Sequence, residues 1–297
     1  MARSSYGGQA VIEGVMMRGQ REMAVAVRRR SGEVLVHSEP LTSVIYTSSW
    51  AKLPFIRGLV MLWDSLVLGT RVLMFSATVA AEEDESVAPE MSSKVMWGSL
   101  IIGLLLAMGL FFVLPVLLVS AVDPFLRSSF WSNVVEKVFR LALVIGYIAA
   151  VGFIPDIKRV FAYHGAEHKA INAYEDGAPL EPEVVSRYST AHPRCGTSFL
   201  LIVLIISFIA FLLLGQPPML ERVVSRIVLI PIVAGVSYEL IKLGAAHYKN
   251  PIVKILLAPG MAVQKLSTRE PDLSMVEVSI ASLKRIIALE EPTEARA

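Results

Sequence analysis

The chain has one cysteine, Cys195, among its 297 residues, so no disulfide can form within it. A disulfide-stabilised extracellular scaffold is therefore excluded. Charged residues make up only 18% of the chain against 54% hydrophobic residues. The net charge of +2 excludes little by itself, and no nucleic-acid partner is predicted. The opening MARSSYGGQAVIEG lacks an apolar core of signal-peptide length, so we expect membrane targeting to come from internal segments.

Long apolar runs are the most prominent feature of the sequence. The first of them is long enough to cross about 30 Å of hydrocarbon at about 1.5 Å per residue. Each run satisfies its own backbone hydrogen bonds if it is helical, as lipid requires. The sequence therefore predicts a mainly α fold, a polytopic membrane bundle of about four transmembrane helices. These predicted spans are 95–122, 138–154, 198–214 and 224–243.

Two further apolar segments are less regular. Segment 53–80 carries Arg57, Asp64 and Arg71, which favours an amphipathic helix on the bilayer surface, with a fifth span as the alternative. Segment 252–263 is too short to span and is predicted to be interfacial or partly buried. Residues 23–39 alternate apolar and polar residues around a Ser-Gly pair, which predicts a β-hairpin on a cytoplasmic cap.

These segments divide the chain into four parts. The positive-inside rule places both termini and the long middle loop in the cytoplasm, because Lys and Arg concentrate there. We thus expect a multi-pass protein of the bacterial cytoplasmic membrane, with the lipid bilayer as its partner. The parts are an N-terminal segment with a Gly-rich motif and the hairpin (1–52), an interfacial helix and linker (53–94), a four-helix transmembrane domain with a His-rich loop at 156–197 (95–243), and a C-terminal segment (244–297).

An H-x-x-E-H arrangement follows the second span and is the strongest indication of chemistry. On a helix, His164 and His168 lie one turn apart on one face, where both imidazoles can bind one metal. Glu167 lies beside them, as in inverted zinc peptidases, and is the predicted base that takes a proton from metal-bound water. The predicted cofactor is a divalent metal, with zinc first, although iron and manganese suit such ligands too.

A third ligand must come from elsewhere in the sequence. Glu239 is the first choice, because it is a carboxylate inside an apolar run, where an ionisable group is costly unless it is paired or ligating. His192, Cys195 and His247 are secondary candidates, since the predicted topology places them on the same membrane face. A lone cysteine such as Cys195 is more often a small packed residue than a metal ligand.

The Gly-rich motif at 7–19 surrounds one carboxylate, Glu13, and one guanidinium, Arg18. It lacks the order of a phosphate-binding loop. Its simplest interpretation is a tight turn packed on the cap, and the functional alternative is that Glu13 or Arg18 enters the site or binds substrate.

Five motifs together resemble the YqhQ-like family of bacterial membrane proteins. The function of this family is unknown, and its members are suspected of being metal-dependent enzymes. They are GGQAVIEGVMMRG, YHGAEHKAINAYE, HPRCGTSFLL, VAGVSYELIK and LSTREPD, in that order. The resemblance covers nearly the whole chain. It implies a multi-pass fold and suggests metal chemistry at His164, Glu167 and His168.

The leading hypothesis is a metal-dependent membrane hydrolase that acts at the cytoplasmic interface on a lipid, a lipid-linked precursor or a membrane peptide. The alternative is a non-catalytic scaffold or assembly factor whose polar or metal cluster ties helix ends together. A transporter is weaker, since no internal repeat is evident. The substrate, the metal and the oligomeric state are left open by the sequence.

Overall fold

The computed structural model describes residues 6–41, 48, 51, 53–81, 93–126, 129–214 and 219–294. Four strands form an antiparallel sheet in chain order, and ten α-helices follow. The strands are β1 (Gly7–Val11), β2 (Gly14–Arg18), β3 (Glu22–Arg28) and β4 (Val34–Pro40). The helices are α1 (Ile56–Ala81), α2 (Ser93–Met108), α3 (Leu114–Leu126), α4 (Ser129–Val151), α5 (Pro155–Asp176), α6 (Pro182–Val185), α7 (Gly196–Leu214), α8 (Met219–Ala246), α9 (Pro251–Ser267) and α10 (Leu273–Glu294).

The predicted hairpin at 23–39 is confirmed as β3 and β4, which pair from Glu22 with Pro40 to Arg28 with Val34. The Gly-rich motif also forms a hairpin, β1 with β2, which the sequence analysis did not predict. Its turn places Glu13 at φ 51°, in the left-handed region. The N-terminal sheet is therefore twice the size expected.

The sheet is covered on both faces, because successive side chains point to opposite sides. Val11, Met16 and Val25 face α1 and pack with its Leu68 and Val72. The other face packs on α5 and α10 in a second cluster, which includes Val15, Met17, Ala24, Ala26, Ala166, Val276 and Leu283. The N-terminal sheet and the C-terminal helix thus share one core, here called the cap.

Three of the described helices are long and apolar enough to cross a bilayer: Ile56–Ala81, Gly196–Leu214 and Val228–Ala246. The last two correspond to predicted spans. The first is the segment assigned to the bilayer surface from its charges, and it forms one 26-residue helix. Asp64 on this helix binds Arg18 of β2 at 2.5 Å, so that charge is neutralised by the cap.

The other two predicted spans are helical, but neither is one uninterrupted α-helix. Residues 93–126 comprise α2, a π-helical segment at Gly109–Val113 and α3. Helices α4 and α5 meet at a 100° bend, and together they would make a fourth, broken span. The bend falls where Pro155 begins α5. Proline is well tolerated in the first turn of a helix, so a new helix can start at this residue. Helix α5 then packs in the cap and carries the H-x-x-E-H motif.

Candidate metal centre

His164 and His168 lie one turn apart on α5, as their spacing predicts, with ring centroids 4.4 Å apart. Each ring is fixed by a backbone carbonyl. The Nδ1 of His164 lies 2.9 Å from the oxygen of Ser267, and the Nδ1 of His168 lies 2.6 Å from the oxygen of Thr190. Because a carbonyl can only accept a hydrogen bond, both Nδ1 atoms carry the proton. Each neutral ring therefore has its lone pair on Nε2, the state in which histidine binds a metal.

Cys195 is the third donor that the structure brings to these histidines. One ligand atom from each of His164, His168 and Cys195 lies within 4.8 Å of the others. The Sγ of Cys195 is 3.4 Å from Nε2 of His164. In a tetrahedral zinc site with usual Zn–S and Zn–N lengths, these atoms are about 3.5 Å apart. The distance between Cys195 and His164 thus matches that of two ligands on one metal ion, and His168 lies close enough to be a third candidate ligand.

The sulfur is held in place by its neighbours. Cys195 directly precedes α7, and the backbone N–H of Thr197 donates to its Sγ at 3.4 Å. The side chain of Thr197 contacts the hydroxyl of Ser267 at 2.9 Å, so the cysteine and the carbonyl that orients His164 are linked. Such outer contacts fix ligand geometry in metal sites.

Gln264 of α9 is a positioning residue that the sequence analysis missed. Its amide is fully buried, accepts the N–H of His192 at 3.0 Å and donates to the oxygen of His192 at 2.9 Å. It also donates to the hydroxyl of Ser198 at 2.6 Å. Gln264 therefore binds residues that both precede and follow Cys195 in the chain, His192 and Ser198. The only sequence feature that could have indicated Gln264 is its position as an amide side chain directly after the apolar segment 252–263.

Glu167 is buried at 5% exposure and lies against β1. A Cβ atom on Gly8 would come within 2.9 Å of its side chain, so only glycine allows this approach. Burial raises the pKa of Glu167 to about 7, while the nearby His164 and the N–H of Gly8 oppose the rise. Glu167, the predicted catalytic base, is thus on the buried side of α5. It is next to His168 in the sequence and accepts a hydrogen bond from the backbone N–H of Gly8 in β1.

Glu239 is placed differently from its predicted role as third ligand. It is not among the clustered donors, and its carboxylate accepts two hydrogen bonds from Arg57 of α1, one from Nη2 and one from Nε to Oε1 at 2.6 Å. The backbone N–H of Phe55 donates to it as well, at 3.3 Å. The costly carboxylate in the apolar helix is therefore compensated by an ion pair, the alternative that its position had left open.

The two remaining histidine candidates lie beside the cluster. His192 is buried, with its ring 5.8 Å from that of His168. Its Nδ1 accepts the N–H of Arg194 at 3.3 Å, and its Nε2 donates to Glu175 at 3.4 Å. Both ring nitrogens are thus engaged, and burial lowers the pKa of His192. His247 is exposed at the end of α8, with Nδ1 bonded to the oxygen of Leu243 at 3.0 Å.

Glu13 and Arg18 form ion pairs within the cap. Glu13 binds Arg159 of α5 through two contacts of 2.6 Å and accepts a hydrogen bond from Tyr163 at 3.3 Å. Arg18 pairs with Asp64, as described above. The structure therefore gives both residues contacts that support the packed-turn interpretation of the Gly-rich motif.

The structure defines a mainly helical protein with a sheet-based cap, helices long enough to span a membrane and a His-His-Cys cluster. Residues 53–289 match the family described as "Protein of unknown function (DUF1385)". The chain is also 36% identical over 300 residues to "Uncharacterized protein YqhQ" of Bacillus subtilis (strain 168), covering 98% of this chain and 94% of the relative. The chain therefore belongs to this family, as its motifs indicated. No solved structure matches it.

Proposed function

We propose that the chain is a metalloprotein of the bacterial cytoplasmic membrane that binds one divalent metal ion through His164, His168 and Cys195. The observation that carries the proposal is the mutual placement of the three donor atoms, within 4.8 Å of one another, with both Nδ1 atoms already used.

Zinc is the first choice of metal. A thiolate with two imidazoles disfavours magnesium and calcium, which prefer oxygen ligands. Catalytic zinc sites keep three protein ligands and a fourth position for water or substrate, whereas structural sites are closed by four. The clustered donors of the described residues number three, which supports a catalytic site.

The reaction we propose is hydrolysis at the cytoplasmic face of the membrane, with Glu167 as the acid-base group. Glu167 stands between the two histidine ligands in the chain and is fixed in position by β1. The membrane setting is supported by two helices long enough to span. Helix Gly196–Leu214 begins directly after the loop that carries Cys195, and helix Val228–Ala246 ends at the α8–α9 corner. The concentration of Lys and Arg in the cap supports its cytoplasmic placement.

Metal content tests the ligand set. The wild-type chain, purified in a neutral detergent, should contain about one zinc per chain by mass spectrometry. His164→Ala and Cys195→Ser should lose it while keeping their helical circular dichroism, and Glu239→Gln should retain it as the matched control. A metal-free wild type, or metal lost only in Glu239→Gln, would contradict the assignment.

Glu167→Gln tests the catalytic role separately. Glutamine can still accept the hydrogen bond from Gly8, so the variant should keep both its fold and its metal. Turnover of a membrane substrate should fall by about 10²-fold or more, the usual scale of acid-base assistance. Full activity in a metal-loaded Glu167→Gln protein would remove Glu167 from the mechanism.

A second candidate is a scaffold in which the same metal is structural. One observation favours it: a metal there would join α5 to the start of α7, and Ser267 at the end of α9 is hydrogen-bonded to both sides of that junction. In that case, metal removal should lower the thermal stability strongly, and Glu167→Gln should have no functional effect.

A further inference from the structure

A cleft of about 640 Å³ lies next to the cluster. Its walls come from the C-terminal half of α5, the loop 189–194 and the corner between α8 and α9. Its polar lining residues include Asn172, Arg194, His247 and Lys249.

The cleft lies where two candidate spans end on one side. Helix α7 starts at Gly196, two residues after Arg194, and α8 ends at Ala246, which lines the cleft. Tyr248 lines it as well, and Lys254 lies over its ring at 5.7 Å. Tyrosine and lysine at this position are typical of the depth of lipid headgroups.

Apolar surface continues from the cleft towards the expected hydrocarbon. Leu243 is 59% exposed near the end of α8, and Ile252 and Ile255 are 65% and 72% exposed on the first turns of α9. These side chains have no covering surface within the described residues. A ligand of this site can therefore have a polar head in the cleft and acyl chains along the helices.

The charge in the cleft favours an anionic head. The carboxylate of Glu175 is compensated, because it binds both Arg194 and His192. Lys249 is exposed on the corner. His247 donates its Nδ1–H to the oxygen of Leu243, so its Nε2 lone pair is left to accept the O–H of a singly ionised phosphate monoester. The cleft also lies at the N-terminus of the 17-residue helix α9, which favours negative charge.

The cleft adjoins the proposed metal centre. Asn172 lies one turn beyond His168 on the same face of α5, and Arg194 directly precedes Cys195. A head bound between Asn172 and Arg194 would thus be next to the clustered donors.

We propose that the cleft between α5, the 189–194 loop and the α8–α9 corner binds the phosphate-bearing headgroup of a membrane lipid through Lys249 and His247, with the ion pair of Arg194 and Glu175 in its wall. As the substrate site of the metal centre, this assignment rests on the proposed function. Binding of the headgroup itself requires only the cleft.

The probe is dihexanoyl phosphatidic acid, titrated by calorimetry into the full chain in a neutral detergent. It should bind the wild type, and the double variant His247→Gln/Lys249→Gln should weaken binding by roughly tenfold or more, as expected for charge-assisted contacts. Lys242→Gln is the matched control, because it removes a positive charge from the same helix end outside the cleft, and it should bind like the wild type.

Two further titrations separate the sources and the two proposals. Glycerol 1-phosphate should bind at least tenfold more weakly than the short-chain lipid, and equal binding would replace the lipid with a soluble phosphate. The Cys195→Ser variant should still bind the lipid, so loss of metal and loss of headgroup binding are distinguishable. Equal affinity in the wild type and the double variant, or no binding by the wild type, would overturn the cleft assignment.

Discussion

The cap and the apolar helices of this chain bury their side chains in opposite ways. In the cap, Val15, Met17 and Leu283 are fully enclosed between the sheet and α10. On α7, Leu213 is 83% exposed and Ile209 is 47% exposed. The cap is thus a core of the kind that forms in water, whereas the helices leave apolar surface for another apolar medium to cover.

Two glutamates show what this difference means for charge. Glu167 in the cap is buried and accepts the backbone N–H of Gly8, and its burial raises its pKa to about 7. Glu239, on a helix long enough to span, is bound by Arg57. The pKa of Glu167 is thus set by burial, whereas the charge of Glu239 is compensated by a partner.

The largest expected effect is on the ion pair between the helices. Arg57→Ala leaves Glu239 without its partner. The two side chains are 28% and 22% exposed, so the loss should approach the value for a buried pair, about 3–5 kcal/mol, only where detergent desolvates them. Thermal unfolding in detergent measures the loss. The double variant Arg57→Leu/Glu239→Leu should recover most of it, and equal stability of the single and double variants would show that the pair is not desolvated.

A core substitution compares the two regions directly. Leu283→Ala opens a cavity between α10 and the sheet and should lower the free energy of unfolding by about 2–5 kcal/mol. Leu213→Ala on α7 is the matched change at an exposed position and should cost less than about 0.5 kcal/mol in detergent. Similar losses in both variants would mean that α7 is covered by protein.

The contact between the sheet and the H-x-x-E-H helix is tested by adjacent glycines. Gly8→Ala places a Cβ 2.8 Å from the oxygen of Met16 and 2.9 Å from Glu167, so we expect about 1–3 kcal/mol of destabilisation. Gly7→Ala meets no atom within 4 Å and should be nearly neutral. Chemical denaturation distinguishes them, and equal curves would argue against this approach of β1 to α5.

The smallest effect concerns Gln264, which joins the apolar part of α9 to the metal ligands' loop. Gln264→Leu removes its bonds to His192 and Ser198 and should weaken zinc affinity by about 10- to 100-fold, as outer-contact changes usually do. Competition with a chelating dye measures the affinity. Gln264→Glu, which keeps one acceptor for the His192 N–H, should lose less, and unchanged affinity in both would show that the loop is held by other contacts.

Local patterns predicted what depends on neighbours in sequence. The alternation at 23–39 gave the β3–β4 hairpin, and the i, i+4 spacing placed His164 and His168 on one face. The β1–β2 hairpin was missed because glycines weaken a strand pattern, while their purpose here is the close approach to Glu167. Segment 53–80 was assigned to the bilayer surface because it carries Arg57, Asp64 and Arg71, and the partner of Asp64, Arg18, lies 46 positions earlier.

The sequence by itself determined the apolar helices, the hairpin and the pair of histidines, since each follows from a period of two or 3.6 residues or from run length. Only the tertiary structure decided between Cys195 and Glu239 as the donor beside those histidines. Both residues belong to distant segments, and a metal-ligand distance depends on how those segments pack. Arg57 accounts for Glu239, and the start of α7 brings Cys195 to 3.4 Å from His164.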